Sequence, residues 1–216
     1  GRNWRKETES GITVAHNTEI EASIIDQIEV WRQEEQKQRA GSKKNQKNRK
    51  RPWMIALDGM CASGKTTLAG KMKERYSELA VIHMDDFFLQ PQMRTPRRLS
   101  EPGGNVDYKR FCLEVIDPLV QTGSCSYRVY SCHSQSFVRT ETLADPKIVL
   151  VEGAYSAHPY FGAVYDAVYF LSISKQEQKE RILRRNGEAM LSRFLDEWIP
   201  MEEQYFETFG IREKEE

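Results

Sequence analysis

No apolar run in this 216-residue chain approaches the eighteen or so residues that a spanning helix requires, which excludes an integral helical membrane protein. Cysteine is scarce: only Cys61, Cys112, Cys125 and Cys132, scattered through apolar or loop contexts. That usage does not build a disulfide scaffold, and it reads as reduced thiols in the cytoplasm. Cys125, Cys132 and His133 match no standard zinc spacing and lack a second ligand pair, so a zinc site is rejected. The start shows no charged-then-apolar signal pattern and so nothing marks it for export; Gly1 in place of Met reads as an expression scar or a truncated start. Net charge is also missing, since 32 Lys and Arg balance 32 Asp and Glu.

The balance hides an asymmetry. Residues 1–51 carry 12 basic and 8 acidic side chains, whereas residues 52–216 carry 20 and 24. From Lys37 to Arg51 there are eight basic residues and no acid. No aromatic that could stack on a base occurs in that stretch before Trp53, so it reads as a solvated linker, with no nucleic-acid or membrane partner expected. Hydrophobic residues at 39% and aromatics at 10% still suffice for a real core.

The pattern predicts two parts, residues 1–51 and 52–216. Residues 1–17 lack periodicity and are expected to fray. Thr18 followed by Glu21 reads as a capping box. Ile20, Ile24, Ile28 and Trp31 then form one apolar helical face running to about Gln38, to be buried against this chain's body or against a second copy in a homo-oligomer. From Ala40 to Arg51 the composition is that of a flexible linker. Beyond Pro52, continuous apolar strands at 53–57, 80–84, 147–151 and 167–173 alternate with helices at 67–77, 106–120, 175–186 and 188–209, the last kinked or broken at Pro200. That order implies an α/β fold of the P-loop NTPase type, a three-layer sandwich with a mainly parallel central sheet.

One motif carries chemistry at once. Gly59-Met60-Cys61-Ala62-Ser63-Gly64-Lys65-Thr66 fits Gly-x4-Gly-Lys-Ser/Thr, the Walker A pattern, and sits between an apolar strand and a helix as that motif requires. Gly59 and Gly64 permit backbone shapes that turn successive N–H groups inward into an anion nest, here Gly59, Ala62, Ser63, Gly64, Lys65, Thr66 and Thr67. The helix that follows adds partial positive charge, Lys65 a mobile cation, and the Thr66 hydroxyl a ligand for Mg²⁺. A GTP switch would need an Asn-Lys-x-Asp segment, and Asn45 and Asn48 have no Asp after them. A large motor ATPase needs more chain than this. A small-molecule kinase needs an acid beside the acceptor, and His83-Met84-Asp85-Asp86-Phe87-Phe88 supplies a pair at the carboxyl end of a buried strand.

Residues 58–69 and 83–88 together resemble the uridine kinase and nicotinamide riboside kinase family. The similarity continues through Asn105-Val106-Asp107-Tyr108, Val149 to Gly153 and Arg181 to Arg185, and ends weakly at Trp198 to Tyr205. The resemblance implies ATP and Mg²⁺ as cofactors and a nucleoside or similar small molecule as acceptor. It implies Asp85 as general base, Glu152 as a second holder of Mg²⁺ beside Thr66, and Arg181 and Arg184 as lid arginines over the phosphates. Arg185 and Arg193 are weaker candidates. It implies Asp107 on the ribose hydroxyls, with Phe87, Tyr108 and His133 around the acceptor. Asp107 also suits an N-cap, Phe87 a core position, and His133 is spaced differently from the family's base-contacting histidine. The loop from Leu89 to Asn105, with Arg94, Arg97 and Arg98, fits no part of the family pattern, and its arginines would favour an acceptor already carrying an anion. The rival readings are a kinase for nicotinamide riboside, pantothenate or a sugar phosphate, or an ATP-binding regulatory module without turnover.

Overall fold

A computed structural model describes residues 12–14, 17–41 and 51–212. The basic linker over 42–50, most of the stretch expected to fray and the acidic end after Arg212 lie outside the described residues. Five strands form one parallel sheet: β1 (Ile12–Val14), β2 (Trp53–Gly59), β3 (Leu79–His83), β6 (Ile148–Glu152) and β7 (Ala167–Leu171). Their order is β1-β7-β2-β6-β3. Two further strands, β4 (Cys125–Ser131) and β5 (Ser136–Leu143), make an antiparallel hairpin outside this sheet.

Alternation along β2 shows why the sheet is covered on both faces. Ile55 and Leu57 point to one side with Leu150 and Leu171, whereas Met54 and Ala56 point to the other with Val149, Val151 and Phe170. The first side is covered by α1 (Asn17–Gly41) and α2 (Lys65–Arg75). The second is covered by α4 (Tyr108–Phe111) and α5 (Asp117–Thr122), by the β4–β5 hairpin and by the C-terminal helix, with α3 (Pro96–Leu99) lying in the preceding loop. The remaining helices are α6 (Lys175–Asn186), α7 (Glu188–Arg193) and α8 (Ile199–Phe209). This is the expected three-layer α/β sandwich.

Several local expectations change. Residues 12–14 form an edge strand paired with β7. The helix α1 continues to Gly41, past the expected end, and its face of Ile20, Ile24, Ile28 and Trp31 is buried in this chain's own core. Trp31 stacks on Trp53 at 4.6 Å and the Trp53 indole N–H donates to Glu35 at 3.1 Å, which anchors the far end of the helix to β2. Those four side chains are therefore not available to a second copy.

The helices that contain Pro118 and Pro200 share a device. The segments Cys112–Ile116 and Phe194–Trp198 are π-helical, and each ends two residues before a proline, Pro118 and Pro200. Proline has no N–H for the carbonyl four residues back and its ring crowds that carbonyl, so the preceding turn widens and the helix continues. Pro200 therefore loosens the run from Glu188 to Phe209 without ending it.

Candidate active site

The carboxyl edge of the sheet collects the phosphate loop, Glu152 and the Asp85-Asp86 pair. Gly59 ends β2 at φ +146°, and a Cβ there would lie 2.3 Å from the Leu171 carbonyl oxygen, so only glycine fits. Gly64 has φ +98° with open space where its side chain would be. Lys65 opens α2; its Nζ donates to the carbonyls of Gly59 at 2.9 Å and Met60 at 2.7 Å, folding the cation back across the loop. The Thr66 hydroxyl donates to Glu152 Oε1 at 3.2 Å, and Thr67 lies in the first turn of the same helix.

Glu152 ends β6 opposite Leu57 on one side and His83 on the other. Its Oε1 lies 2.5 Å from His83 Nδ1, and that hydrogen bond to a carboxylate raises the imidazole above its ordinary pKa. Asp85 sits in a 3₁₀ turn directly after β3, exposed to solvent on one side and crowded by protein on the other. That crowding desolvates the carboxyl and raises its pKa, and the negative charge of Glu152 pushes the same way. The positive charges of Lys65, His83 and Arg185 oppose the rise. Lys65, Thr66, Glu152 and Asp85 are thus brought into one cluster.

The loop is clasped from outside by the C-terminal helices. Gln178 Nε2 on α6 donates to the Cys61 carbonyl at 2.9 Å, and Arg181 Nη1 donates to the Ala62 carbonyl at 3.1 Å while pairing with Glu177. Glu202 on α8, only 9% exposed, accepts the Cys61 N–H at 2.9 Å. Desolvation raises Glu202 to about 7, with Lys65 pulling it down and Asp58 and Asp85 pushing it up. Asp58 is fully buried below the loop and accepts four hydrogen bonds, from the N–H groups of Gly59, Tyr155 and Ala157 and from the Tyr205 hydroxyl. A buried carboxylate so fully partnered ties loop, β6 exit and α8 into one rigid piece.

The arginines divide differently from the motif-based expectation. Arg181 holds loop backbone. Arg185 is the one whose charge reaches both Cys61 and Asp85. Arg184 is exposed and makes no hydrogen bond or ion pair among the described residues. Residues 181 and 185 are four apart and share a helix face turned to the loop, which places 184 to one side. Arg193 pairs with Glu197 at 3.4 Å and stacks on Trp198, away from the loop.

The residues expected around an acceptor separate too. Asp107 is 5% exposed; it caps α4 by accepting the Arg110 N–H at 3.1 Å, and its other oxygen faces the Arg110 guanidinium at 3.8 Å. Phe87 is fully enclosed against Phe111, Tyr127 and Arg110, so its ring offers no surface to an acceptor in this structure; the aromatic pair at 87–88 splits, one ring to core and one half-buried. Tyr108 is half-buried, donates to Glu101 at 3.0 Å and lies under the Arg98 guanidinium at 3.9 Å. His133 is exposed in the turn between β4 and β5. The same turn carries Cys132, whose thiol feels both Asp85 and Arg94. The Leu89–Asn105 loop is ordered by Arg98, which donates to the carbonyls of Gly104 and Val106 at 2.8 and 3.0 Å, while Arg94 remains exposed toward the hairpin.

Comparison with known proteins bears on the fold. No family model matches the chain. Over 131 residues, 60% of its length, the chain is 26% identical to human nicotinamide riboside kinase 1, and the match spans 63% of that protein. Among solved structures, a protein described as a possible uridine kinase from Bacillus stearothermophilus superposes with a TM-score of 0.57 at 20% identity, over 81% of this chain and 89% of that one. The chain shares this α/β P-loop fold. A protein described as a fructose transport system kinase from a Silicibacter species gives 0.61 at 19% identity, over 74% and 87%. A D-glycerate 3-kinase from Cryptococcus neoformans gives 0.54 at 12%, over 82% and 85%. The resemblance of this P-loop chain to the uridine kinase and nicotinamide riboside kinase family therefore extends from short motifs to the architecture. At these identities the solved neighbours speak to the fold alone.

Proposed function

We propose that this protein is an ATP-dependent phosphotransferase that moves the γ-phosphoryl group to a hydroxyl of a small acceptor, with the 5′-hydroxyl of a nucleoside as the first candidate. The observation that supports it most is the convergence of Lys65, Thr66, Glu152 and Asp85 at one end of the sheet. The nest from Gly59 to Thr67 holds the triphosphate, and Lys65 leaves the Gly59 and Met60 carbonyls to meet the β- and γ-oxygens. Thr66 and Glu152 offer two hard oxygen donors 3.2 Å apart, which suits Mg²⁺ completing its shell with phosphate and water. Bound there, the ion would supply charge neutralisation on the phosphates.

Asp85 accepts the proton of the acceptor hydroxyl as the new O–P bond forms and the bond to the ADP oxygen breaks, leaving phosphorylated acceptor, ADP and a proton. Desolvation makes Asp85 a better base than an ordinary aspartate. Arg185, with Arg181 bracing the loop beneath it, meets the charge that spreads over the transferring group. We take 52–216 as the kinase domain, with α1 docked on it, working in the cytoplasm where the four cysteines stay reduced.

The test is ADP release from ATP and Mg²⁺ against a panel of nucleosides, nicotinamide riboside, pantothenate and sugar phosphates. Stimulation by none of these would remove the kinase reading and favour a nucleotide-binding regulatory module. Arg94, exposed opposite the Cys132 turn, favours a second reading, an acceptor already bearing an anionic group. In that case the phosphorylated members of the panel outrun the neutral ones, and Arg94→Ala abolishes their advantage.

A further inference from the structure

The segment before Pro52 has no part in the reaction as described so far, yet the sheet carries it to the phosphate loop. Parallel pairing sets Val14 of β1 opposite Phe170 of β7, while Gly59 pairs with Leu171 across the other side of β7. The chain therefore leaves β1 at the carboxyl edge, and α1 begins there with Asn17. The Asn17 side-chain amide donates to the Ser63 carbonyl at 2.9 Å. Its Oδ1 is enclosed and has no hydrogen-bond partner among the described residues.

Three successive carbonyls of the loop are thus held by three side chains, Cys61 by Gln178, Ala62 by Arg181 and Ser63 by Asn17. In a trans peptide plane the C=O of one residue and the N–H of the next point in opposite directions. Holding the Ser63 carbonyl toward Asn17 therefore turns the Gly64 N–H the opposite way, away from Asn17. Donors fixed before the ligand arrives cost less to organise during binding.

We propose that Asn17 is a positioning residue of the nucleotide site, locking the Ser63–Gly64 peptide so that its N–H faces the phosphates. The segment Ile12–Gly41 then belongs to the catalytic unit and is no mere appendage. The inference rests on the kinase reading of the loop and deepens it. The enclosed, unpartnered Oδ1 argues against a contact kept for stability alone, because an unsatisfied buried acceptor weakens the fold.

The test compares the full chain with N17A and with the isosteric N17D, which keeps the shape and loses the donor. Calorimetric titration with Mg-ATP reads the nucleotide Kd, and steady-state assays at saturating nucleotide read the acceptor KM. Both variants are expected to raise the nucleotide Kd roughly five- to tenfold, the scale of one lost hydrogen bond. The acceptor KM should stay unchanged, and the nucleotide-free Tm of N17A should stay within about 2 °C of the parent. Nucleotide Kd equal to that of the parent in both variants overturns the inference and leaves the kinase reading intact. A parallel loss in Tm, acceptor KM and nucleotide Kd also overturns it, since that is the mark of general loosening. Failure of the parent chain itself to bind Mg-ATP defeats the kinase reading and this inference with it.

Discussion

Glu202 accepts a hydrogen bond from the backbone N–H of Cys61 at 2.9 Å, although 141 residues separate them in sequence. A carboxylate from the last helix thus occupies one donor of a loop built to receive phosphate. Burial raises it to about 7 from an ordinary 4.5, so the folded protein keeps its proton where the unfolded chain has lost it. Stability from this group therefore falls as pH rises from about 4.5 to about 7 and is level above that. Glu202→Gln keeps an acceptor for the Cys61 N–H and removes the titration. The variant should gain Tm relative to the parent as pH goes from 5 to 8, up to a difference on the order of 3 kcal/mol. A Tm difference that does not change with pH in thermal melts would show that Glu202 is not held protonated.

Lys65 and Asp85 should fail in different ways. Lys65 folds its cation across the loop backbone onto the Gly59 and Met60 carbonyls, so Lys65→Ala should weaken Mg-ATP binding or turnover at least about a hundredfold. Asp85→Asn should retain ATP affinity and slow transfer at least about a hundredfold, the scale of a lost acid–base group. Binding by calorimetry and single-turnover transfer separate the two. Wild-type transfer by the asparagine variant would remove Asp85 from the role of base.

Among the basic residues of α6, Arg185→Ala should lower kcat by about tenfold or more, whereas Arg184→Ala should leave it nearly unchanged. The reason is the shared helix face of 181 and 185, which sets Arg185 toward Cys61 and Asp85. Paired kcat measurements decide it, and an Arg184 effect as large as that of Arg185 would contradict the assigned faces.

Gly59→Ala should destabilise the fold by roughly 2 kcal/mol or more, because its Cβ would strike the Leu171 carbonyl oxygen at a φ that L residues avoid. Gly64→Ala meets no atom within 4 Å and carries only the backbone strain of φ +98°, so it should cost less stability than Gly59→Ala and show its larger effect in nucleotide affinity. Denaturant melts and Mg-ATP titrations of the two variants should therefore rank them in opposite orders.

Which features were legible depended on how local their physics is. The phosphate loop is eight residues whose glycines, lysine and hydroxyl act on their own backbone, and the strand before it and the helix after it follow from apolar runs and spacing. Glu152 stands out because it ends a buried strand. Asp107 and Phe87 show the opposite case, since capping an adjacent helix and filling a core leave the same residue types at the same places as binding an acceptor. The β4–β5 hairpin is not written in the apolar pattern, because β5 is largely exposed and carries no apolar run.

By itself the amino-acid sequence determined the phosphate loop, the alternation of buried strands with helices and the apolar stripe of α1, because each is written in neighbouring residues. Only the tertiary structure decided that this stripe covers the chain's own sheet, that Arg185 and not Arg184 faces the loop, and that Asn17, Gln178 and Glu202 hold it. Those contacts join residues 46, 117 and 141 positions apart. They exist because parallel strands ordered β1-β7-β2-β6-β3 deliver distant segments to the same edge of one sheet.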